Sequence, residues 1–136
     1  MKIVPNLHFN GDCEKAIEHY ERAFKAKRTV LLRYQDANPE EVDEAPGDEK
    51  QNFIYHSEMM IGGQRVILND HTDDLPRGLN VSLLVSFDRK EDVIEAYAIL
   101  KDGATIITPM QATSYSSCFV SLVDRYGVRW ELIKEI

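Results

Sequence analysis

Two stretches of the chain space their apolar residues as a helix does, and strand-like runs bracket each. Cys13, Ala16, Ile17, Tyr20 and Phe24 share one face of a helix expected from Asp12 to about Lys25, with Asp12 as its N-cap. His19 lies off that stripe and is expected to be solvated. Val93, Ala96, Tyr97 and Leu100 form the stripe of a second helix, expected to start at Asp88 and stop at Gly103. Apolar strand candidates precede the helices at 2–9 and 79–87, and β-rich runs follow them at 28–34 and 104–109. Each half then closes with a hairpin pattern. The first covers 53–61, turns at Gly62-Gly63 and returns over 65–69; glycine accepts the positive φ of such a turn. The second covers 117–123, turns through Asp124 to Gly127 and returns over 128–133.

The two halves also share residues. Glu14, Ile17, Glu18 and Tyr20 repeat as Glu91, Ile94, Glu95 and Tyr97, both in the pattern E-x-x-I-E-x-Y. Gly63-Gln64-Arg65-Val66-Ile67-Leu68 aligns with Gly127-Val128-Arg129-Trp130-Glu131-Leu132. The helices are offset by 77 positions (Glu14 to Glu91) and the hairpins by 64 (Gly63 to Gly127). The difference of 13 is about the size of an acidic loop after Tyr34 that the second half lacks. A duplication explains this, and each half reads strand, helix, then three strands. The expected class is α+β: two βαβββ modules whose curved mixed sheets surround a cavity, with the helices on the outer face.

Length and charge narrow the picture. A chain of 136 residues fits a single domain, with module one at 1–70, a linker at 71–77 and module two at 78–136. A net charge of -7 makes nucleic acid a poor partner. The excess acid is concentrated in Pro39 to Lys50. Neither a secretory leader nor a membrane helix is apparent. Cys13 and Cys118 form no CxxC pair, so a cytoplasmic protein with reduced thiols is the expectation.

Candidate chemistry is sparse. His56 and Glu58 sit two apart on a strand and share a face, but the P-C-x-x-C partner of a zinc deaminase is absent. Among His8, His19, His56 and His71 there is no HxxxH or HExxH pair. If Glu131 points inward, alternation also turns Arg129 and Ile133 inward, with Arg65, Ile67 and Asn69 on the matching strand. Arg129 could pair with Glu131 or hold an anionic ligand group. Gln111 and Tyr115, in the polar segment 110–117, could reach inward from a cavity lip or belong to a plain loop. The segment 70–74 reads as a solvated acidic linker. No GxSxG, P-loop or GxGxxG occurs.

Four segments carry a family resemblance: Leu7-His8-Phe9-Asn10-Gly11, Ala16-Ile17-Glu18-His19-Tyr20, His56-Ser57-Glu58-Met59-Met60-Ile61-Gly62 and Asp124-Arg125-Tyr126-Gly127-Val128-Arg129-Trp130. With the paired βαβββ plan, the chain resembles the PhnB-like branch of the vicinal oxygen chelate superfamily, which includes glyoxalase I, extradiol dioxygenases and the bleomycin and fosfomycin resistance proteins. The resemblance implies a homodimer. It also implies a divalent-metal site built from the first, fourth, fifth and eighth strands. Those positions fall here near Pro5, at Ile67, at Asn80 or Ser82, and at Glu131. Only Glu131 is a good ligand, so no metal and no cofactor are expected. Some PhnB-like proteins carry a demethylubiquinone methyltransferase label. No glycine-rich nucleotide loop supports methyl transfer from S-adenosylmethionine here.

The expected function is therefore metal-free binding or sequestration of a small molecule. The expected contacts are Asn80, Ser82, Gln111, Tyr115, Arg129, Glu131 and His56. The alternative is a metabolic enzyme of lyase, isomerase or dioxygenase type with an unconventional metal site. A third possibility is a vestigial cavity in a dimer that serves only for interaction. No membrane partner is expected.

Overall fold

The computed structural model describes residues 1–42 and 47–136. Among the described residues the fold is α+β, with two mixed four-stranded sheets and two α-helices. It divides into two compact units, residues 1–21 with 25–76 and residues 22–24 with 77–136.

The first unit runs β1 (Asn6–Phe9), α1 (Cys13–Phe24, its last turn grouping with the second unit), β2 (Lys27–Arg33), β3 (Ile54–Ile61) and β4 (Gln64–Asp70). The sheet order is β1-β4-β3-β2, with β1 and β4 parallel and the other pairs antiparallel. Leu68, Val66, Met59 and Ile61 are buried on one face, together with Cys13, Ala16, Ile17 and Tyr20 of α1. Arg33 and Arg28 of β2 tie α1 down through Glu14 (2.7 Å) and Glu21 (2.8 Å). These bonds hold both carboxyls below the usual glutamate range.

The second unit contains β5 (Leu83–Ser86), α2 (Lys90–Leu100), β6 (Thr105–Thr113), β7 (Ser116–Val123) and β8 (Arg129–Glu135). Its sheet order, β5-β8-β7-β6, repeats the first, with β5 and β8 parallel. Val93, Ala96 and Leu100 of α2 are buried with Trp130, Leu132, Val120 and Leu122 of the sheet. Within this unit the Phe24 ring centroid lies 4.8 Å from that of Trp130.

Several elements differ from the sequence expectation. β1 begins at Asn6 and β5 at Leu83, so both strands are shorter than the apolar runs that suggested them. α2 begins at Lys90 with Arg89, not Asp88, at the cap. β6 continues to Thr113, so 110–113 is strand paired with β7 rather than loop. His19 is buried, only 3% exposed, because the buried face of α1 is wider than the apolar stripe and also takes in His19 and Ala23. Asp12 makes no side-chain cap. The capping carboxylate is Asp70, which accepts from the backbone N–H of Gly11 (2.7 Å) and Cys13 (3.1 Å). Asp70 is thus a buried anchor at the end of β4 and not a linker residue. Of the acidic run at 39–50, residues 43–46 lie outside the described residues. The flanks form short 3₁₀ turns at Pro39–Glu41 and Asp48–Lys50.

Candidate functional site

In each module the sheet face opposite the buried core is the one that carries polar chemistry. In module two, alternation along β8 buries Trp130 and Leu132 and turns Arg129 and Glu131 the other way. Glu131 sits in register between Leu84 of β5 and Ser121 of β7. Ser82 Oγ donates to Glu131 Oε1 at 3.0 Å. Arg129 does not pair with Glu131; its Nη1 donates to the Leu79 carbonyl at 2.6 Å. Arg129 Nε and Ser121 Oγ are buried with no hydrogen-bond partner among the described residues.

The remaining module-two candidates divide. Gln111 pairs in register with Phe119, which pairs with Ile133, so these three extend the Glu131 face toward the β6 edge. Tyr115 sits in the β6–β7 turn with its ring edge-on to Phe119, the centroids 6.2 Å apart. Asn80 is exposed ahead of β5; Ser82, not Asn80, reaches Glu131.

In module one, His56 Nε2–H donates to Glu58 Oε2 at 2.8 Å, and Arg65 Nε donates to Glu58 Oε1. Arg65 first and His56 second hold the Glu58 carboxyl down at about 2, against an ordinary value of 4.5. His56 is thus engaged within its own module.

The same face holds a group that sequence reasoning missed. His8 Nδ1 lies 2.8 Å from Asn69 Oδ1 and 3.0 Å from His71 Nε2, and Asn69 Nδ2 donates to Asn6 Oδ1 at 3.2 Å. These residues are more than 60 positions apart and meet because β1 runs parallel to β4, with His8 opposite Asn69. The inward alternation of Asn69 was the one available signal.

A sequence model of the 3-demethylubiquinone-9 3-methyltransferase family matches residues 1–133. The chain belongs to that family. No curated protein matches it. The protein PA1353 from Pseudomonas aeruginosa is 25% identical, with 99% of this chain and 98% of that one covered and a TM-score of 0.86. The PhnB protein from Bacillus cereus is 23% identical, with 98% and 99% covered and a TM-score of 0.82. A glyoxylase/bleomycin resistance protein/dioxygenase domain from Frankia sp. EAN1pec is 17% identical, with 100% and 98% covered and a TM-score of 0.69. The chain is thus a PhnB-like member of that fold group, as its motifs suggested.

In this PhnB-like protein the positions expected to hold metal fit one poorly. The β1–β4 register sets Asn6, rather than Pro5, beside Ile67. The β5–β8 register sets Leu84 beside Glu131, with Ser82 hydrogen-bonded to it. Neither pair supplies more than one good ligating side chain, and a divalent site is built from three or more. Among the described residues no group of three or more His, Cys, Asp or Glu side chains could hold an ion.

The family motif at 124–130 is structural. Asp124 Oδ1 accepts from Tyr126 N (2.8 Å) and Val128 N (3.0 Å), and Oδ2 accepts from Trp130 Nε1 at 2.9 Å. The cysteines are poor nucleophile candidates. Both are buried, and burial together with the Asp70 charge pushes the Cys13 thiol far up. No helix among the described residues is long and apolar enough to cross a membrane.

Proposed function

We propose that this PhnB-like protein binds a small organic molecule on the Glu131 face of its second module, without a metal at Glu131. One observation carries the reading: on the Glu131 face Arg129 Nε and Ser121 Oγ are buried and unpartnered, and among the described residues the Glu131 carboxylate accepts from Ser82 alone. Buried donors without partners cost about 1–3 kcal/mol each, which a ligand oxygen accepting from both would recover. Glu131 Oε2 in turn suits a hydroxyl or amino hydrogen on the same ligand. The ligand class is a compound carrying an acceptor oxygen next to a hydrogen-bond donor. The exposed Tyr115 ring, edge-on to the buried Phe119, supplies apolar surface there, with Gln111 at the edge of the face. The donor set around Glu131, a single carboxylate among serines and a leucine, supports the metal-free part of the reading.

The assembly expected is a homodimer, and sedimentation showing only monomer at micromolar concentration contradicts it. The binding test is a thermal-shift screen of chelator-treated protein against small metabolites and antibiotics. Ligand at 100-fold over Kd stabilises by about 2.7 kcal/mol. The expected result is a compound that raises Tm, is recovered unchanged, and loses its effect in Arg129→Ala and Glu131→Gln. Consumption of the compound would establish an enzyme instead. Stabilisation that requires an added divalent metal and vanishes in Glu131→Gln would overturn the metal-free reading.

A further inference from the structure

We propose that His8, Asn69 and His71, all in the first unit, form a site for a divalent transition-metal ion, with Ni(II) or Cu(II) the best fit. Three donor atoms converge there. Asn69 Nδ2 donates to Asn6, which turns the Asn69 carbonyl oxygen toward His8 Nδ1. The second neighbour of His8 Nδ1 is His71 Nε2, at 3.0 Å. A neutral imidazole nitrogen presents either one proton or one lone pair. With a proton at His8 Nδ1, both neighbours compete for it. With a lone pair there, it can accept from His71, but it then faces the Asn69 oxygen, lone pair against lone pair. A cation among the three atoms satisfies all of them at once.

The spacing selects the ion. With metal–nitrogen bonds of about 2.1 Å, ligands at a right angle lie about 3.0 Å apart and tetrahedral ones about 3.4 Å. The His8–His71 separation of 3.0 Å matches the right angle. Square or octahedral ions that accept imidazole and carbonyl ligands are therefore favoured. The two rings are nearly perpendicular, at 86°, with centroids 4.8 Å apart. Backbone pairing fixes the donors: His8 is in register with Asn69, and His71 N donates to the Phe9 carbonyl at 2.7 Å. The side-chain bonds here are exposed, so water or a small ligand can complete the coordination shell.

The test is calorimetric titration of Ni(II) into tag-free, chelator-stripped protein. The expected result is one Ni(II) per chain. His8→Ala and His71→Ala should each abolish it while circular dichroism and Tm stay at wild-type values. Asn6→Ala, which removes only the residue that orients Asn69, should weaken binding about 10-fold. His56→Ala and Glu131→Gln should bind as wild type does. No Ni(II) binding by the wild type, or unchanged binding in both His8→Ala and His71→Ala, overturns the site. Loss of Ni(II) in Glu131→Gln alone would overturn it as well, and with it the metal-free reading of Glu131. Failure of the ligand screen leaves the Ni(II) result standing by itself.

Discussion

Corresponding strands of the two modules pair in the same way and carry different chemistry. Arg65 and Arg129 occupy matching positions in the repeat. In module one, Arg65 reaches across to Glu58, and His56 binds the same carboxylate. In module two the place of Glu58 is taken by Ser121, and the carboxylate has moved one strand over, to Glu131, where module one has Ile67. Glu58 is therefore neutralised by its own module, whereas Arg129 and Glu131 remain unpaired with each other and keep bonding capacity. The outer ends of the faces differ too. His8 meets His71 where Ser86 donates to Glu135 at 2.7 Å. The two modules share one frame, and they differ in the side chains on their polar faces.

The largest effects should come from the frame, and should be alike in the two modules. Asp70 accepts three backbone N–H bonds, from Gly11, Cys13 and Ile54. Asp124 accepts two, plus the indole N–H of Trp130. Replacing either by alanine leaves three donors without their acceptor, and each variant should lose about 3 kcal/mol or more in urea denaturation. A loss confined to one module's aspartate would show that the two anchors are not equivalent.

How much of this was legible follows from the same contrast. The apolar stripes located both helices, because Ala16, Ile17 and Tyr20, and likewise Val93, Ala96 and Leu100, fill the core at helical spacing. The hairpin repeat placed Arg129, Glu131 and Ile133 on one face through strand alternation alone. Long-range polar bonds were not legible. Asp70 resembled linker because its three donors lie 16, 57 and 59 positions away in sequence. His8 and His71 looked unrelated because only the parallel β1–β4 pairing brings them together. The choice of Ser82 over Asn80 depends on where β5 begins, and composition did not mark that point, since the apolar run starts at Leu79 and the strand at Leu83.

Turn substitutions sharpen the comparison at a smaller scale. Gly63 and Gly127 align in the repeat and both have positive φ, 82° and 91°. A Cβ added at Gly63 meets nothing within 4 Å, whereas one at Gly127 would lie 2.9 Å from the Arg77 guanidinium. Gly63→Ala should cost about 1 kcal/mol from backbone strain, and Gly127→Ala more, toward about 2 kcal/mol. Equal losses in thermal denaturation would remove the asymmetry between the turns.

The smallest effect is acid titration within module one. Glu58 is held below its ordinary 4.5, so its stabilising contribution is complete above that pH and disappears as pH falls through about 2. Asp70 has the opposite sign. Burial raises its carboxyl above the ordinary 3.8 despite its three N–H bonds, so its contribution favours folding at low pH and declines as pH rises through the raised value. Glu58→Gln should flatten the acid side of the stability curve, and Asp70→Asn should steepen it. Curves that move together in denaturation series would contradict the assignment.

The divergence of the two faces is tested most directly by anomalous diffraction from crystals soaked in Ni(II) after purification without chelators. The account predicts a peak bonded to His8 and His71, no peak within bonding distance of Glu131, and any organic density at the second module lying against Arg129 and Ser121. An anomalous peak on the Glu131 carboxylate would contradict it.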